Sequence, residues 1–258
     1  MDLKIAGLRV LVTAGANGIG LEIARAFVTE GARVHVCDVD AAAITALGKS
    51  DPSITATLCD VSDRAQVAQL FGVALKALGG LDCLVNNAGI AGPTGRVEDI
   101  LPEDWDRCLA IDITGQFNCT RLAVAHLRQS DNPSIVNLAS AAGKLGFAMR
   151  SPYAAAKWGV VGFSKSLAIE LGPDNIRCNA ILPGLVDGQR IRNVLGAKAQ
   201  ARGMSLDETT HLAFMGVSVK KFVPPTEIAK YIVFLSSPLC STVTGQAIAI
   251  DGDTQMLV

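Results

Sequence analysis

The sequence lacks an excess of charge of either sign. Among its 258 residues, lysine and arginine number 23 and aspartate and glutamate number 24, which leaves a formal net charge of −1. This balance argues against nucleic acid or an anionic membrane surface as the main partner. An apolar run of about 18 residues and a charged-then-apolar leader are also missing, so we expect a cytoplasmic protein that does not enter the membrane.

Cysteine spacings typical of metal sites or disulfide frameworks are absent too. The seven cysteines are odd in number, widely spread and without a C-x-x-C pair, and the three histidines are isolated. This usage indicates small buried thiols in a reducing compartment, and no metal site is expected. Half of the residues are hydrophobic and 18% are charged, which is enough apolar material for a large core.

Short apolar runs alternate with helical patterns along the chain. The runs that predict buried strands are 8–14, 32–38, 53–60, 81–89, 134–139, 176–184 and 245–252. Helical patterns lie at 64–78, 102–129, 152–171 and 224–237. This alternation predicts an α/β fold, doubly wound in three layers, with a parallel sheet of about seven strands and helices on both faces. Without repeats or linkers, residues 1–258 are expected to form one domain.

A glycine-rich turn, GANGIG at 15–20, lies between the first strand and a helical pattern. In this context glycines let the backbone approach a pyrophosphate at a helix N-terminus, although a tight turn without a ligand remains the alternative. Asp38 ends the second strand, where a Rossmann unit places the carboxylate that binds the adenosine ribose. Because this carboxylate would repel a 2′-phosphate, and Val39 and Asp40 supply no arginine, we expect NAD rather than NADP. Asp38 could also, or instead, cap the next helix.

A serine, a tyrosine and a lysine suggest the reaction. Ser151 and Pro152 predict a helix start with Ser151 as its cap, which places Tyr153 and Lys157 four residues apart on one helical face. An ammonium beside a phenol favours the phenolate and suits the tyrosine to proton transfer. Ser140 ends an apolar run, at the edge of the sheet where α/β proteins bind ligands. Taken alone, this spacing more often reflects an exposed lysine and a half-buried tyrosine, and the rest of the chain reverses that balance.

Residues 185–223 break the strand–helix alternation and carry six basic side chains, namely Arg190, Arg192, Lys198, Arg202, Lys220 and Lys221. We expect one or two amphipathic helices over the ligand-binding edge, acting as a lid. A solvated charged face is the alternative for most of these residues.

Taken together, these features resemble the short-chain dehydrogenase/reductase family from the first strand to the last. The motifs that carry the resemblance are T-A-G-A-N-G-I-G at 13–20, D-V at 60–61, N-N-A-G at 86–89, Ser140, Y-A-A-A-K at 153–157, P-G at 183–184 and D-G at 251–252. Their order and spacing fit together, which makes the match far more specific than any one motif.

The resemblance implies a nicotinamide cofactor and a role for each matching residue. Tyr153 is the general acid/base, Lys157 favours its phenolate and holds the nicotinamide ribose, and Ser140 orients the substrate oxygen. The implied cofactor-binding residues are Ala14, Asn17, Gly18, Ile19, Asp38, Asp60, Val61, Asn87, Gly89, Tyr153, Lys157, Pro183 and Val186. Among them, Asp60 and Val61 are assigned to the adenine and Pro183 and Val186 to the nicotinamide.

Two positions depart from the family pattern. Ala14 replaces the first glycine of the turn, which costs little at negative φ and strains the backbone at positive φ. Asp112 stands where the family usually has asparagine, a catalytic residue whose main-chain carbonyl holds a water that relays protons towards the lysine. Asp112 retains that carbonyl and is kept as a catalytic candidate, but an ionised carboxylate near Lys157 would change the charge balance of the site.

The implied reaction is the reversible oxidation of a secondary alcohol with NAD. Arg150, three residues before Tyr153, could bind a substrate carboxylate as a planar fork, assisted by Arg190 and Arg192. This predicts a hydroxy acid or a sugar-acid-like substrate. A neutral polyol, sugar or cyclic alcohol is the alternative, with Arg150 then forming a surface salt bridge.

Two other functional classes stay open. One is a dinucleotide-binding regulator without catalysis, against which the intact serine, tyrosine and lysine speak. The other is a reductase of activated double bonds, but related enzymes of that kind have a longer spacing between tyrosine and lysine. By analogy with the family, a homo-oligomer, either a dimer or a tetramer, is expected through helices at about 102–129 and 152–171.

Overall fold

The computed structural model describes residues 2–257 and is built on one parallel sheet. Its strands are β1 Arg9–Thr13, β2 Arg33–Asp38, β3 Thr55–Leu58, β4 Cys83–Asn86, β5 Ser134–Leu138, β6 Arg177–Pro183 and β7 Ala247–Ile250. They lie in the order β3-β2-β1-β4-β5-β6-β7, and each neighbouring pair is parallel. Each strand lies within a predicted apolar run and is shorter than that run, which confirms the α/β fold.

The helices run between the strands. They are α1 Gly18–Thr29, α2 Ala41–Ser50, α3 Arg64–Leu78, α4 Pro102–Leu109, α5 Gly115–Leu127, α6 Ser151–Leu171, α7 Gln189–Arg202, α8 Leu206–Met215 and α9 Pro225–Ser236. The helical pattern predicted over 102–129 contains a π-helical segment, Ala110–Thr114, that joins α4 to α5. The irregular segment 185–223 contains two helices, α7 and α8.

Two apolar layers cover the two faces of the sheet. Alternate residues of β1 point to opposite layers: Val10 packs in the cluster of α1 and α9, whereas Leu11 packs in the cluster of α3, α5 and α6. Phe27 of α1 and Leu70 of α3 are fully buried in these layers. Each such side chain contributes about 1.5–3 kcal/mol on burial, so the doubly wound arrangement follows from the apolar runs of the sequence.

The strand order reverses between β1 and β4, which lie side by side although five elements, α1 to α3 with β2 and β3, separate them in the sequence. In an open α/β sheet the crevice at the carboxyl ends of such a pair is where ligands bind. The glycine-rich turn follows β1 and Asn87 follows β4, so both lie at this crevice.

The start of α6 corrects one prediction. Ser151 is the first helical residue rather than the cap; Arg150 takes the cap position without a capping hydrogen bond from its side chain. The buried Ser151 Oγ has no hydrogen-bond partner among the described residues. The chain turns sharply just before the helix, at Met149, whose φ of 62° lies in the left-handed region.

Within residues 2–257, no helix combines the length and the apolar character needed to cross a bilayer.

Candidate active site

Tyr153 and Lys157 lie one turn apart on the same face of α6. The Lys157 Nζ lies 5.6 Å from the centre of the Tyr153 ring. Lys157 is 3% exposed, and its Nζ donates a hydrogen bond to the Leu138 carbonyl at 3.1 Å. The end of β5 therefore holds a buried ammonium beside a phenol, the pairing that proton transfer by a tyrosine requires.

Ser140 follows β5 and caps a short 3₁₀ turn, Ala141–Gly143. Its Oγ accepts a hydrogen bond from the Ala142 amide at 3.2 Å. This turn packs directly on α6, because a Cβ atom at Gly143 would lie 2.7 Å from the Lys157 carbonyl oxygen. The close approach at Gly143 brings Ser140 to the edge that carries Tyr153 and Lys157.

Asp112 is fully buried in the π-helical segment between α4 and α5. Its Oδ1 accepts a hydrogen bond from the Ile90 amide at 2.7 Å, and its Oδ2 accepts one from the Cys108 Sγ at 3.7 Å. Burial, reinforced by the charge of Asp112, raises the pKa of the Cys108 thiol to about 12, so this thiol keeps its proton and donates it. Such π-helical turns are frequent at functional sites.

The glycine-rich turn after β1 is tight and open to a ligand. A Cβ at Gly20 would lie 2.1 Å from the Ala14 carbonyl oxygen, whereas one at Gly18 would meet nothing within 4 Å. Asn17 is the N-cap of α1 but makes no capping hydrogen bond with its side chain, and Ile19 follows in the first turn. The first N–H groups of α1 are thus left without a side-chain acceptor, as an anion site requires.

Asn87 ties the turn to β4. Its Nδ2 donates hydrogen bonds to the carbonyls of Thr13 and Ala14, each at 3.0 Å. Ala14 itself has a φ of 49°, so the substitution for glycine places a side chain in the left-handed region. The sequence leaves open whether the backbone of Ala14 has a negative φ, at little cost, or a positive φ, with strain. The structure shows the positive φ.

Asp38 lies buried at the end of β2, beside the same turn. Its Oδ2 accepts a hydrogen bond from the Ala16 amide at 3.1 Å. The capping role considered for Asp38 belongs to Asp40, whose carboxylate accepts hydrogen bonds from the first amides of α2. Asp38 is therefore left to face the turn.

Asp60 lies at the end of β3, with both carboxylate oxygens bonded. Oδ1 accepts from the Ser62 amide and hydroxyl, and Oδ2 accepts from Arg107 Nη2 at 2.9 Å. Burial would raise the pKa of Asp60, but the hydrogen bonds from Ser62 and Arg107 outweigh it and hold the pKa below its ordinary value. The neighbouring Val61 is buried against Gly115, where an added Cβ would lie 2.5 Å from its Cγ2.

Pro183 and Val186 lie on the far side of the crevice. Pro183 ends β6, and the next residue, Gly184, packs so closely on the residue after β7 that an added Cβ would lie 2.7 Å from the Asp251 Cα. Val186 then pairs with Val223 in an isolated bridge. The structure thus brings the sequence-predicted positions from β1, β4, β5 and β6 to one edge of the sheet.

Arg150 is buried, at 1% exposure, rather than forming a surface salt bridge. Its Nη2 donates a hydrogen bond to the Ala91 carbonyl, while Nε and Nη1 have no partner among the described residues. Its Cζ lies 5.0 Å from the centre of the Tyr153 ring. Burial, and then the charge of the exposed Arg190 on α7, lower the pKa of the guanidinium below its usual value. Two buried donors therefore lie beside the candidate general base.

Sequence patterns place Lys198 on the lid but do not reveal its burial, and they do not single out Phe147. Lys198 on α7 is 1% exposed, and its Nζ lies 3.8 Å from the centre of the Phe147 ring. Burial, together with the charges of Arg150 and Arg202, lowers the pKa of Lys198 to about 7. One signal was present in the sequence: Lys198 falls in the stripe of α7 that also buries Leu195 and Ala199.

In the part of the chain that the structure describes, no group of three or more His, Cys, Asp or Glu side chains is arranged to hold a metal ion.

The fold and the site define an oxidoreductase that uses a dinucleotide. A family model described as enoyl-(acyl carrier protein) reductase matches residues 13–253. The D-β-hydroxybutyrate dehydrogenase of Cupriavidus necator is 37% identical over 251 residues, which are 95% of this chain and 97% of that protein. The chain belongs to the short-chain dehydrogenase/reductase family, whose relatives are dehydrogenases and reductases acting on alcohol and ketone groups.

Two solved structures extend this likeness to the cofactor. An actinorhodin polyketide ketoreductase variant with NADPH matches with a TM-score of 0.89 and 32% identity, covering 94% of this chain and 95% of that one. NAD⁺-bound xylitol dehydrogenase matches with a TM-score of 0.91 and 26% identity, covering 96% of this chain and 99% of that one. The open glycine-rich turn and the uncapped start of α1 in this chain fit the pyrophosphate of such a dinucleotide.

Proposed function

We propose that this protein is an NAD-dependent dehydrogenase that interconverts a hydroxy acid, or a sugar-acid-like alcohol, and the corresponding ketone. The observation that carries this proposal is the buried guanidinium of Arg150, with two donors unpartnered among the described residues, beside the ring of Tyr153. A buried donor of this kind costs about 1–3 kcal/mol when left unsatisfied, and a substrate carboxylate would accept a hydrogen bond from one of the two.

The catalytic residues have separate tasks in the oxidation. Tyr153 takes the proton of the substrate hydroxyl, and Ser140 holds the same oxygen by a hydrogen bond. Lys157, fixed by the Leu138 carbonyl, keeps a positive charge beside the phenol as the proton is transferred. A nicotinamide dinucleotide bound in the crevice would supply the acceptor for the hydride of the substrate carbon. In the reverse direction, Tyr153 returns the proton to the carbonyl oxygen.

The residues proposed to hold the cofactor surround the crevice. Asn17, Gly18 and Ile19 present the start of α1 to the pyrophosphate, beside Ala14. Asp38 accepts hydrogen bonds from the adenosine ribose. The remaining assignments follow the family pattern: Asp60 and Val61 for the adenine, Asn87 and Gly89 for the neighbouring ribose, and Pro183 and Val186 for the nicotinamide.

The preference for NAD over NADP rests on the charge of Asp38. This carboxylate lies at the end of β2 against the glycine-rich turn, where a 2′-phosphate would come close to it. The name of the hydroxybutyrate dehydrogenase relative supports an acid substrate, and the name of the xylitol dehydrogenase neighbour favours a neutral polyol as the second candidate.

A substrate panel tests the proposal. Hydroxy acids, neutral polyols and enoyl thioesters are each offered with NAD and with NADP, and formation or loss of the reduced nicotinamide is followed by absorbance. We expect turnover of hydroxy acids with NAD. Turnover confined to polyols would favour the second candidate, and turnover confined to enoyl thioesters would favour double-bond reduction. No turnover across the panel would indicate a dinucleotide-binding regulator.

The remaining expectations concern the setting of the site. We infer that the protein is cytoplasmic, which seven buried, unbridged cysteines support. We also infer a homo-oligomer, a dimer or a tetramer, assembled through the helices of 102–129 and 152–171, which are α4, α5 and α6. Large apolar side chains stay exposed on these helices: Phe117 is 42%, Trp158 51% and Ile169 80% exposed. Within the single domain, α7 and α8 are proposed to act as the lid.

A further inference from the structure

A short segment that we name the anchor loop, residues 89–95, lies between Asp112 and Arg150. Its Ile90 amide donates a hydrogen bond to Asp112 Oδ1, and its Ala91 carbonyl accepts one from Arg150 Nη2. The Gly95 amide donates to the carbonyl of Met149, at 3.0 Å. The loop therefore contacts both the buried carboxylate and the segment that carries the guanidinium.

The carboxylate of Asp112 is fixed at both oxygens. Oδ1 is held by the Ile90 amide at 2.7 Å and Oδ2 by the Cys108 thiol at 3.7 Å. Its side chain is fully buried, so water does not compete for these bonds. An acceptor held in this way is suited to fixing a backbone rather than to carrying a proton.

The loop has little freedom once Asp112 holds it. Gly92 packs so tightly that an added Cβ would lie 2.9 Å from Cys108 Sγ and 3.9 Å from Tyr153 Cβ. The adjacent Ala91 carbonyl accepts the hydrogen bond from Arg150 Nη2, so the position of this carbonyl constrains the orientation of the guanidinium. A carboxylate is bound well only when that plane is aligned with it.

We propose that Asp112 is a positioning residue for the substrate carboxylate: it fixes the anchor loop, and the loop aims Arg150. This inference rests on the proposed function, because it takes Arg150 as the residue that binds the acid. It gives the side chain of Asp112 a role in substrate selectivity, separate from any relay through its main-chain carbonyl.

The substitutions Asp112→Ala and Asp112→Asn separate positioning from charge. Asparagine retains a side-chain oxygen that accepts the Ile90 amide but has no negative charge, whereas alanine has neither. If Asp112 positions the loop, Asp112→Asn should retain the affinity for a carboxylate ligand that Asp112→Ala loses. If its charge or proton is what matters, the two variants should be equally impaired.

The experiment measures binding without turnover. Acetoacetate and butanone, which differ by a carboxylate in place of a methyl group, are titrated calorimetrically into the enzyme–NAD⁺ complex of each variant. We expect Asp112→Ala to weaken acetoacetate binding at least about tenfold and to leave butanone binding within about twofold. Asp112→Asn should bind acetoacetate within about threefold of the unaltered enzyme.

Arg150→Met is the reference that separates the two proposals. If Arg150→Met leaves the ratio of the two affinities unchanged, the proposed function fails. If Arg150→Met lowers the ratio of acetoacetate affinity to butanone affinity but Asp112→Ala does not, only the positioning role is refuted. The same holds if Asp112→Asn lowers this ratio as much as Asp112→Ala does. Should Asp112→Ala fail to fold, Asp112→Ser, which is too short to reach the Ile90 amide, takes its place with the same expected result.

Discussion

Asp112 and Lys157 face each other across Gly89. A Cβ atom added to Gly89 would lie 2.7 Å from Asp112 Oδ1 and 3.2 Å from Lys157 Nζ. The glycine is required here for space rather than for backbone freedom, because its absent side chain leaves room for both charged groups. One residue of the N-N-A-G motif thereby sets the distance between a buried anion and a buried cation.

Gly89→Ala is expected to lower kcat by at least about tenfold, because the added methyl group displaces the ammonium of Lys157 from the Tyr153 ring. The control is Gly72→Ala in α3, where an added Cβ meets nothing within 4 Å. Steady-state kinetics and thermal unfolding of both variants check this. An unchanged kcat in a folded Gly89→Ala enzyme would show that the close approach has no catalytic role.

Asp38→Ala should shift the cofactor preference. Loss of hydrogen bonds from the ribose to a charged acceptor is worth about 1.5–3 kcal/mol, so the ratio of kcat/KM for NAD to that for NADP should fall by about tenfold to a hundredfold. Asp40→Ala is the matched control, since Asp40 caps α2. It should cost about 1 kcal/mol of stability and leave the ratio unchanged. Equal ratios in the Asp38→Ala and unaltered enzymes would contradict the assignment of NAD.

Ala14→Gly should stabilise the protein. A non-glycine residue in the left-handed region costs roughly 1–2 kcal/mol, and the greater freedom of glycine in the unfolded chain offsets about 0.5–1 kcal/mol of the relief. We expect a net gain of about 0.5–1 kcal/mol, measured by thermal or denaturant unfolding. Gly18→Ala, at a φ of 52°, should act in the opposite direction. A loss of stability in Ala14→Gly would mean that the methyl group packs better than its backbone conformation costs.

Trp158→Glu should dissociate the oligomer. Trp158 is 51% exposed on α6, and a charge there would be buried in an interface formed by this helix. Analytical ultracentrifugation of the variant is expected to show a smaller species. The control is Val97→Glu, at a residue that is 72% exposed outside α5 and α6 and should leave the mass unchanged. A monomeric unaltered enzyme, or an unchanged mass in Trp158→Glu, would refute assembly through this face.

The sequence predicts the sheet well because its strands are continuous apolar runs that only burial on both faces explains. It also predicts that Tyr153 and Lys157 share a helical face, since four-residue spacing suffices. It does not predict the π-helical segment around Asp112, because one extra residue per turn leaves no mark on a helical pattern. The sequence does not predict the burial of Arg150 and Lys198 either. Long charged side chains are usually exposed, and only tertiary packing determines which of them are buried.

In the proposed reaction the phenol of Tyr153 transfers the proton while a hydride leaves the same substrate. Tyr153→Phe removes one oxygen atom and tests this most directly, in single-turnover oxidation of the preferred alcohol by enzyme saturated with NAD⁺. We expect the rate to fall by about a hundredfold to ten-thousandfold, with the dissociation constant of NAD⁺ changed little. Oxidation by Tyr153→Phe at the rate of the unaltered enzyme would contradict the account.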